Sequence, residues 1–224
     1  MTAHPTVRAR WQARTRAEQA SAHTMELLAA RFEALVPERA GVATALRRTA
    51  ADERRHQGLC AEVVTRLGGD AEAGGPLPGL PPAEGEARGA LMEHVVFLLC
   101  AGEAIAAAML RVAAGAATAP GVTELLRGIA ADEARHAALG WVALDAALDG
   151  LSAEARREAA PRLSRQVLRA VVAARAVGAA GPDGAAWGLL EGARAVEVAK
   201  QAVEAAVIPE LVARGLWAPP GAAP

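Results

Sequence analysis

The chain is predicted to be all-α: a four-helix bundle with one long crossover connection between helices 2 and 3, plus two additional C-terminal helices. Three observations predict this. Hydrophobic residues make up 53% of the 224 residues and aromatic ones only 3%; Ala supplies much of the apolar share, with Arg and Glu beside it, a helix-forming set. Apolar residues recur at steps of three and four along four stretches before residue 150, the period of a buried helix face. Gly and Pro cluster at the ends of those stretches, where they punctuate helices.

The first helix is expected over Arg10 to Val36, stopped by Pro37. The second starts at Pro37-Glu38 and ends at Gly68-Gly69. The Gly- and Pro-dense run GGDAEAGGPLPGLPPAEGEA, Gly68 to Ala87, reads as a loop. The third helix covers Arg88 to Ala117, and Pro120-Gly121 separates it from a fourth that ends at Asp149-Gly150. Each is about 30 residues, or about 45 Å at 1.5 Å per residue. Helices 1 and 2, and 3 and 4, have short connections and should form antiparallel hairpins. The roughly 19-residue middle loop can reach about 60 Å, enough to traverse the bundle and make helices 2 and 3 parallel. Further helices are expected over Ser152–Val177 and Ala185–Gly215, with Pro161 and Pro209 as breaks or kinks. Residues 1–150 would form the bundle and 151–224 an extension packed on it in the same domain. The tail APPGAAP is expected to fray.

One decapeptide is written almost twice: AADERRHQGL at Ala50–Leu59 and AADEARHAAL at Ala130–Leu139. On helix 2 the inward stripe is Val42, Leu46, Thr49, Glu53, His56, Cys60, Val63 and Leu67. On helix 4 it is Val122, Leu126, Ile129, Glu133, His136 and Ala143. Glu53, His56, Glu133 and His136 therefore point into the core, where an unpaired carboxylate costs several kcal/mol. Antiparallel geometry places the middle of Glu133–His136 opposite residue 103 or 104, and residue 103 is Glu. It lies on the stripe Met92, Val96, Leu99, Glu103, Ala106, Leu110. The middle of Glu53–His56 faces about residue 20, and the nearest acid is Glu18, on the stripe Glu18, Ala22, Met25, Ala29, Phe32, Val36; Glu26 lies about two turns away. Four glutamates and two histidines at one level, with a Glu-x-x-His from each of two helices, are the ligand set of a carboxylate-bridged di-iron or di-manganese centre. The competing reading is a buried, hydrogen-bonded polar layer without metal.

At AEQAS (Ala17–Ser21), ADERRH, CAGEAIAA (Cys100–Ala107) and ADEARH the chain resembles the ferritin-like superfamily, which includes rubrerythrins, bacterioferritins and small bacterial ferritin-like domain proteins. The resemblance covers about residues 10–150. It implies that Glu53 and Glu133 bridge two metals, that Glu18 and His56 complete one site, and that Glu103 and His136 complete the other. It also implies that Asp52 and Asp132 orient a histidine on another helix through its free ring nitrogen; the alternative is a solvated or intrahelical pair with Arg55 or Arg135. The implied cofactor is two Fe ions, with Mn or mixed Fe/Mn as variants. The chain departs from several relatives. Ala106 stands where rubrerythrins add a Glu, and Ile129 where di-iron N-oxygenases place a third His. There is no Tyr for a radical, and two cysteines cannot form a rubrerythrin iron domain.

A net charge of −1 gives no electrostatic footprint for nucleic acid. The N-terminal stretch lacks the apolar segment of a secretory signal, and Arg111 interrupts the most apolar run, so a cytoplasmic, non-membrane protein is expected. Cys60 and Cys100 should sit on opposite sides of the metal layer, about 10 Å apart by helical rise, too far for a disulfide. His23 and His94 lie off the ligand face. Trp11, Trp141, Trp187 and Trp217 are expected to pack, and Glu191, Glu197 and Glu204 to be solvated. The expected function is an oxidoreductase that activates O₂ or peroxide, acting on Fe(II) or a small organic molecule. The alternatives are metal storage and a structural helical module. Ala-rich surfaces suggest a homodimer.

Overall fold

A computed structural model describes residues 5–70, 76–84, 86–176, 180–181 and 183–219. Among them the protein is all-α, without strands. Helix α1 spans Pro5–Leu35, α2 Ala40–Arg66, α3 Ala87–Ala116 and α4 Val122–Leu148. Helix α5 spans Ala153–Ala173, and α6 runs in three consecutive pieces, Gly192–Ala202, Val203–Val207 and Ile208–Ala213.

The apolar stripes are buried as the period requires. The core divides into two clusters. One holds Met25, Phe32, Leu46, Leu99 and Leu144; the other holds Trp11, Val63, Leu110, Leu126 and Ile129. The N-terminal part of α1 thus lies with the C-terminal part of α2, and the C-terminal parts of α2 and α3 lie together. Arg66 Nη1 donates to Pro120 O (2.8 Å), and Arg39 Nη2 to Asp149 Oδ2 (2.5 Å), so α2 and α4 are antiparallel. Helices α2 and α3 run in the same direction, and the described part of their connection, residues 76–84, lies against the bundle. It is pinned along its way: His94 Nε2 bonds Pro81 O (2.7 Å), Arg169 donates to Pro82 O (3.1 Å), and Arg165 donates to Glu84 (2.9 Å).

Several expected boundaries move. Helix α1 begins at Pro5 rather than Arg10, because Val7 and Trp11 are buried and extend the stripe. Pro161 does not break α5, which continues through it while Ala159, Leu163, Val167 and Ala170 stay buried. Packing of that face offsets the roughly 3 kcal/mol that an interior proline costs. Helix α6 starts at Gly192, not Ala185. The preceding turn docks on the bundle instead: Ala186 O accepts from Thr118 N and Ala119 N (both 2.9 Å), and Trp187 O accepts from Trp11 Nε1 (3.1 Å). Pro209 does coincide with an irregularity, following the π-helical piece Val203–Val207. Val177 and residues 220–224 of the tail lie outside the described residues.

Helix α3 corrects another expectation. By length and composition it is apolar enough to cross a membrane, although half of its most apolar window is buried inside the protein. Leu91, Val96 and Leu99 are fully covered within the bundle core, which accounts for that apolarity as core packing.

Candidate metal centre

The boundary between the two apolar clusters is a polar layer, and the six residues singled out in the sequence meet there. One oxygen or nitrogen from each of Glu18, Glu53, His56 and Glu133 lies within 4.8 Å of the others; the same holds for Glu53, Glu103, Glu133 and His136. Glu53 and Glu133 belong to both groups. His56 Nδ1 stands 3.4 Å from Glu133 Oε1, 3.5 Å from Glu53 Oε2 and 3.9 Å from Glu18 Oε2. His136 Nδ1 stands 3.0 Å from Glu133 Oε2 and 3.1 Å from Glu53 Oε1. The ring centroids are 6.1 Å apart.

The outer ring nitrogens are held across helices. His56 Nε2 pairs with Asp132 Oδ2 (2.9 Å) and His136 Nε2 with Asp52 Oδ2 (3.2 Å). Both sequence readings of these aspartates occur together. Arg55 on α2 reaches Asp52 Oδ1 (2.9 Å) and Asp132 Oδ2 (2.5 Å), and Arg135 also bonds Asp132. The arginines and histidines hold both aspartates below the usual carboxylate range against the opposing effect of burial. Fixed in this way, each imidazole turns Nδ1 toward the glutamates.

The electrostatics of the layer are lopsided. Burial disfavours the imidazolium of His56, yet Glu133, Glu53 and Asp132 outweigh it and push its pKa from 6.5 up to about 11. The same contest, with Glu133 and Glu53, takes His136 to about 10. Burial and then the charges of Glu53 and Glu133 raise Glu18 well above 4.5; burial, Glu133 and Glu53 do so for Glu103. Burial opposes it, yet Glu133 goes the other way, to about 2, because the neighbouring His136, His56 and Glu103 outweigh burial. Four acids crowd two bases, and protons take up the excess charge.

The donor set could hold a metal ion. His56 Nδ1 and Glu53 Oε1 are buried atoms without a hydrogen-bond partner, both in the layer; buried polar atoms are normally paired. Carboxylate oxygen and imidazole nitrogen are the ligands that Fe and Mn take.

Local structure explains how α3 presents its acid. Val95–Glu103 is π-helical and ends at Glu103. A side chain at Gly102 would approach Phe97 O to 2.9 Å, and one at Gly140 would meet Leu99 Cβ at 2.8 Å, so glycine lets the widened turn form and α4 come close. π-Helical turns are frequent at functional sites, and composition gives no warning of this one.

A cavity of about 350 Å³ opens on the layer. Glu18, Glu53, Glu103 and Glu133 reach it; Phe97 and Met109 from α3 and Ala170 and Ala173 from α5 wall it. A larger groove, about 620 Å³, lies between α2 and α4 beside Arg39 and Asp149 and includes none of the six. Cys60 and Cys100 are buried in different apolar clusters, on opposite sides of the layer as expected. Glu191, Glu197 and Glu204 are exposed. Sequence reasoning missed Arg14, which lines the cavity one turn before Glu18, and Arg55 as a link between both aspartates.

The class these features define is an all-helical protein with a buried carboxylate–histidine cluster able to hold metal. Comparison with protein-family models, with curated proteins and with solved structures finds no match to this chain.

Proposed function

We propose that the protein is a two-metal carboxylate oxidoreductase of ferritin-like architecture, built to act on O₂ or peroxide. The observation that carries this reading is the pair of overlapping four-residue clusters that share Glu53 and Glu133. Glu18 and His56 would complete one cation site, Glu103 and His136 the other, with the two shared glutamates between them. Four carboxylates balance two divalent cations, which makes a buried layer of this kind close to neutral. Iron is the favoured occupant, with manganese or a mixed pair as variants. When bound, the two metals supply paired electrons for the reduction of O₂ or peroxide.

The chain's own residues do the rest. With metal bound, Asp132 and Asp52 would hold each imidazole with Nε2–H outward and leave Nδ1 to the cation. Arg55 ties the two aspartates together, so both rings are set by one connected network. The apolar clusters on either side keep water from the layer, and the cavity gives a small molecule access. That cavity favours turnover of a small molecule over storage alone.

The test is aerobic addition of Fe(II) to purified protein, followed optically, with elemental analysis afterwards. About two irons per chain and an absorbance change that Glu53→Ala abolishes are expected. Protein that retains neither iron nor manganese after reconstitution would overturn the reading.

A further inference from the structure

The cavity beside the acid layer carries a cation that the metal site does not use. Arg14 lines it, and its Nη1 is buried without a hydrogen-bond partner. The guanidinium stacks over Trp11, 5.0 Å from the ring centroid, which holds it in place. Arg14 stands four residues before Glu18, one helical turn away. The four glutamates of the layer and Ser21 also line the cavity; the rest of the wall is apolar, with Phe97, Leu98, Ile105 and Met109 from α3 and Ala170 and Ala173 from α5.

From this we infer that the cavity binds a small, largely apolar monocarboxylate, with its carboxylate on Arg14 and its body against α3 and α5. The inference rests on the two-metal reading, because two divalent cations would balance the four carboxylates that also line the cavity. A volume of about 350 Å³ lies at the low end for ligand pockets. At the roughly 30 Å³ one water occupies in the liquid, it admits about a dozen non-hydrogen atoms. A carboxylate matches the guanidinium with two parallel hydrogen bonds. An alcohol leaves most of its donors unpaired, and an amine is repelled. The C-terminal extension gains a role here, since Ala170 and Ala173 of α5 line the cavity.

The experiment uses the full chain loaded with Mn(II) and calorimetric titration of 3-phenylpropanoate, 3-phenylpropan-1-ol and 3-phenylpropylamine. The carboxylate is expected to bind at least about tenfold tighter than the alcohol, the scale of a charged hydrogen bond, and the amine not at all. Arg14→Gln should remove that preference, and Arg14→Lys should keep part of it. Ala173→Phe, which fills the cavity from α5, should weaken carboxylate and alcohol alike. Equal affinity for carboxylate and alcohol in the parent protein overturns the inference. So does a preference that survives Arg14→Gln, which would put the carboxylate on the cations, or binding that survives Ala173→Phe, which would put it on the surface. Manganese content is measured in every sample. Manganese retained without the carboxylate preference defeats this inference alone; no manganese and no preference defeats the two-metal reading with it.

Discussion

Glu93 and Glu103 lie on the same helix, both almost fully buried, and their surroundings are opposite. Glu93 is ringed by donors. Its Oε2 accepts from Gln166 Nε2 (2.7 Å) and Glu84 N (3.3 Å), and its Oε1 lies 3.3 Å from Arg162 Nε. It fastens α5 and the crossover to α3. Glu103 is ringed by acids, and burial with the charges of Glu133 and Glu53 drives it toward its neutral form. A buried acid surrounded by donors is explained by the fold it holds together. A buried acid grouped with two further acids and His136 fits a place for a cation.

That contrast can be broken most sharply at Glu53, which belongs to both clusters. Glu53→Ala should lose essentially all bound iron or manganese by elemental analysis, whereas Glu93→Ala should bind as the parent does. Next in size is stability. Glu93→Ala leaves Gln166 without its acceptor and Arg162 without its counter-ion, and should cost about 2–3 kcal/mol by denaturant titration in the presence of chelator, toward the low end for a buried pair because Arg162 is partly exposed. An unchanged midpoint would remove the structural role given to it.

A third test concerns the histidine supports. Asp132→Asn should weaken metal affinity about 10- to 100-fold, as loss of a ligand-orienting partner does. Asp52→Asn should weaken it less, because the Asp52 side chain is 32% exposed against 9% for Asp132. No effect from either would mean that the rings are set by packing alone, and equal losses would mean that exposure does not decide the strength of the support.

The pH dependence should reverse with metal. In chelator, His56 and His136 are raised from 6.5 to about 11 and about 10, and Glu18 and Glu103 are raised above 4.5. The folded chain then holds more protons than the unfolded one. These groups favour folding at the lower pH, and that contribution is lost as pH rises above 4.5 for the glutamates and from 6.5 through about 10–11 for the histidines. Metal displaces the same protons, so affinity rises with pH. Thermal melts from pH 6 to about 9 should fall in chelator and hold or rise with Mn(II); parallel curves would contradict the linkage. The smallest effect is expected for Glu103→Gln in chelator. Replacing an acid already driven toward neutrality should change stability by no more than about 1 kcal/mol.

The four bundle helices and all six residues of the layer were legible in the sequence because both rest on one period. Steps of three and four put Glu53 and His56 on the face of Val42 and Cys60, and antiparallel hairpins then bring Glu18 and Glu103 opposite. What escaped notice depends on contacts without such a period. The π-helical run before Glu103 reads as an ordinary apolar helix, because it shows only in backbone contacts such as the approach of Gly102 to Phe97 O. The turn at 183–188 has helix-forming alanines, but Trp11 and the α3–α4 connection claim its carbonyls. Glu93 was signalled only by an acid standing inside the apolar run Leu91–Cys100. Arg14 carries no signal on its own, since its place follows from a cavity completed by α5.

The most direct test of the two-cation layer is anomalous diffraction from crystals of the iron-loaded protein. Two peaks are expected between the apolar clusters, each within about 2–2.5 Å of its ligand atoms, with Glu53 and Glu133 touching both and His56 and His136 bound through Nδ1. A layer without a peak, or a single ion that leaves His56 or His136 unligated, would contradict the account.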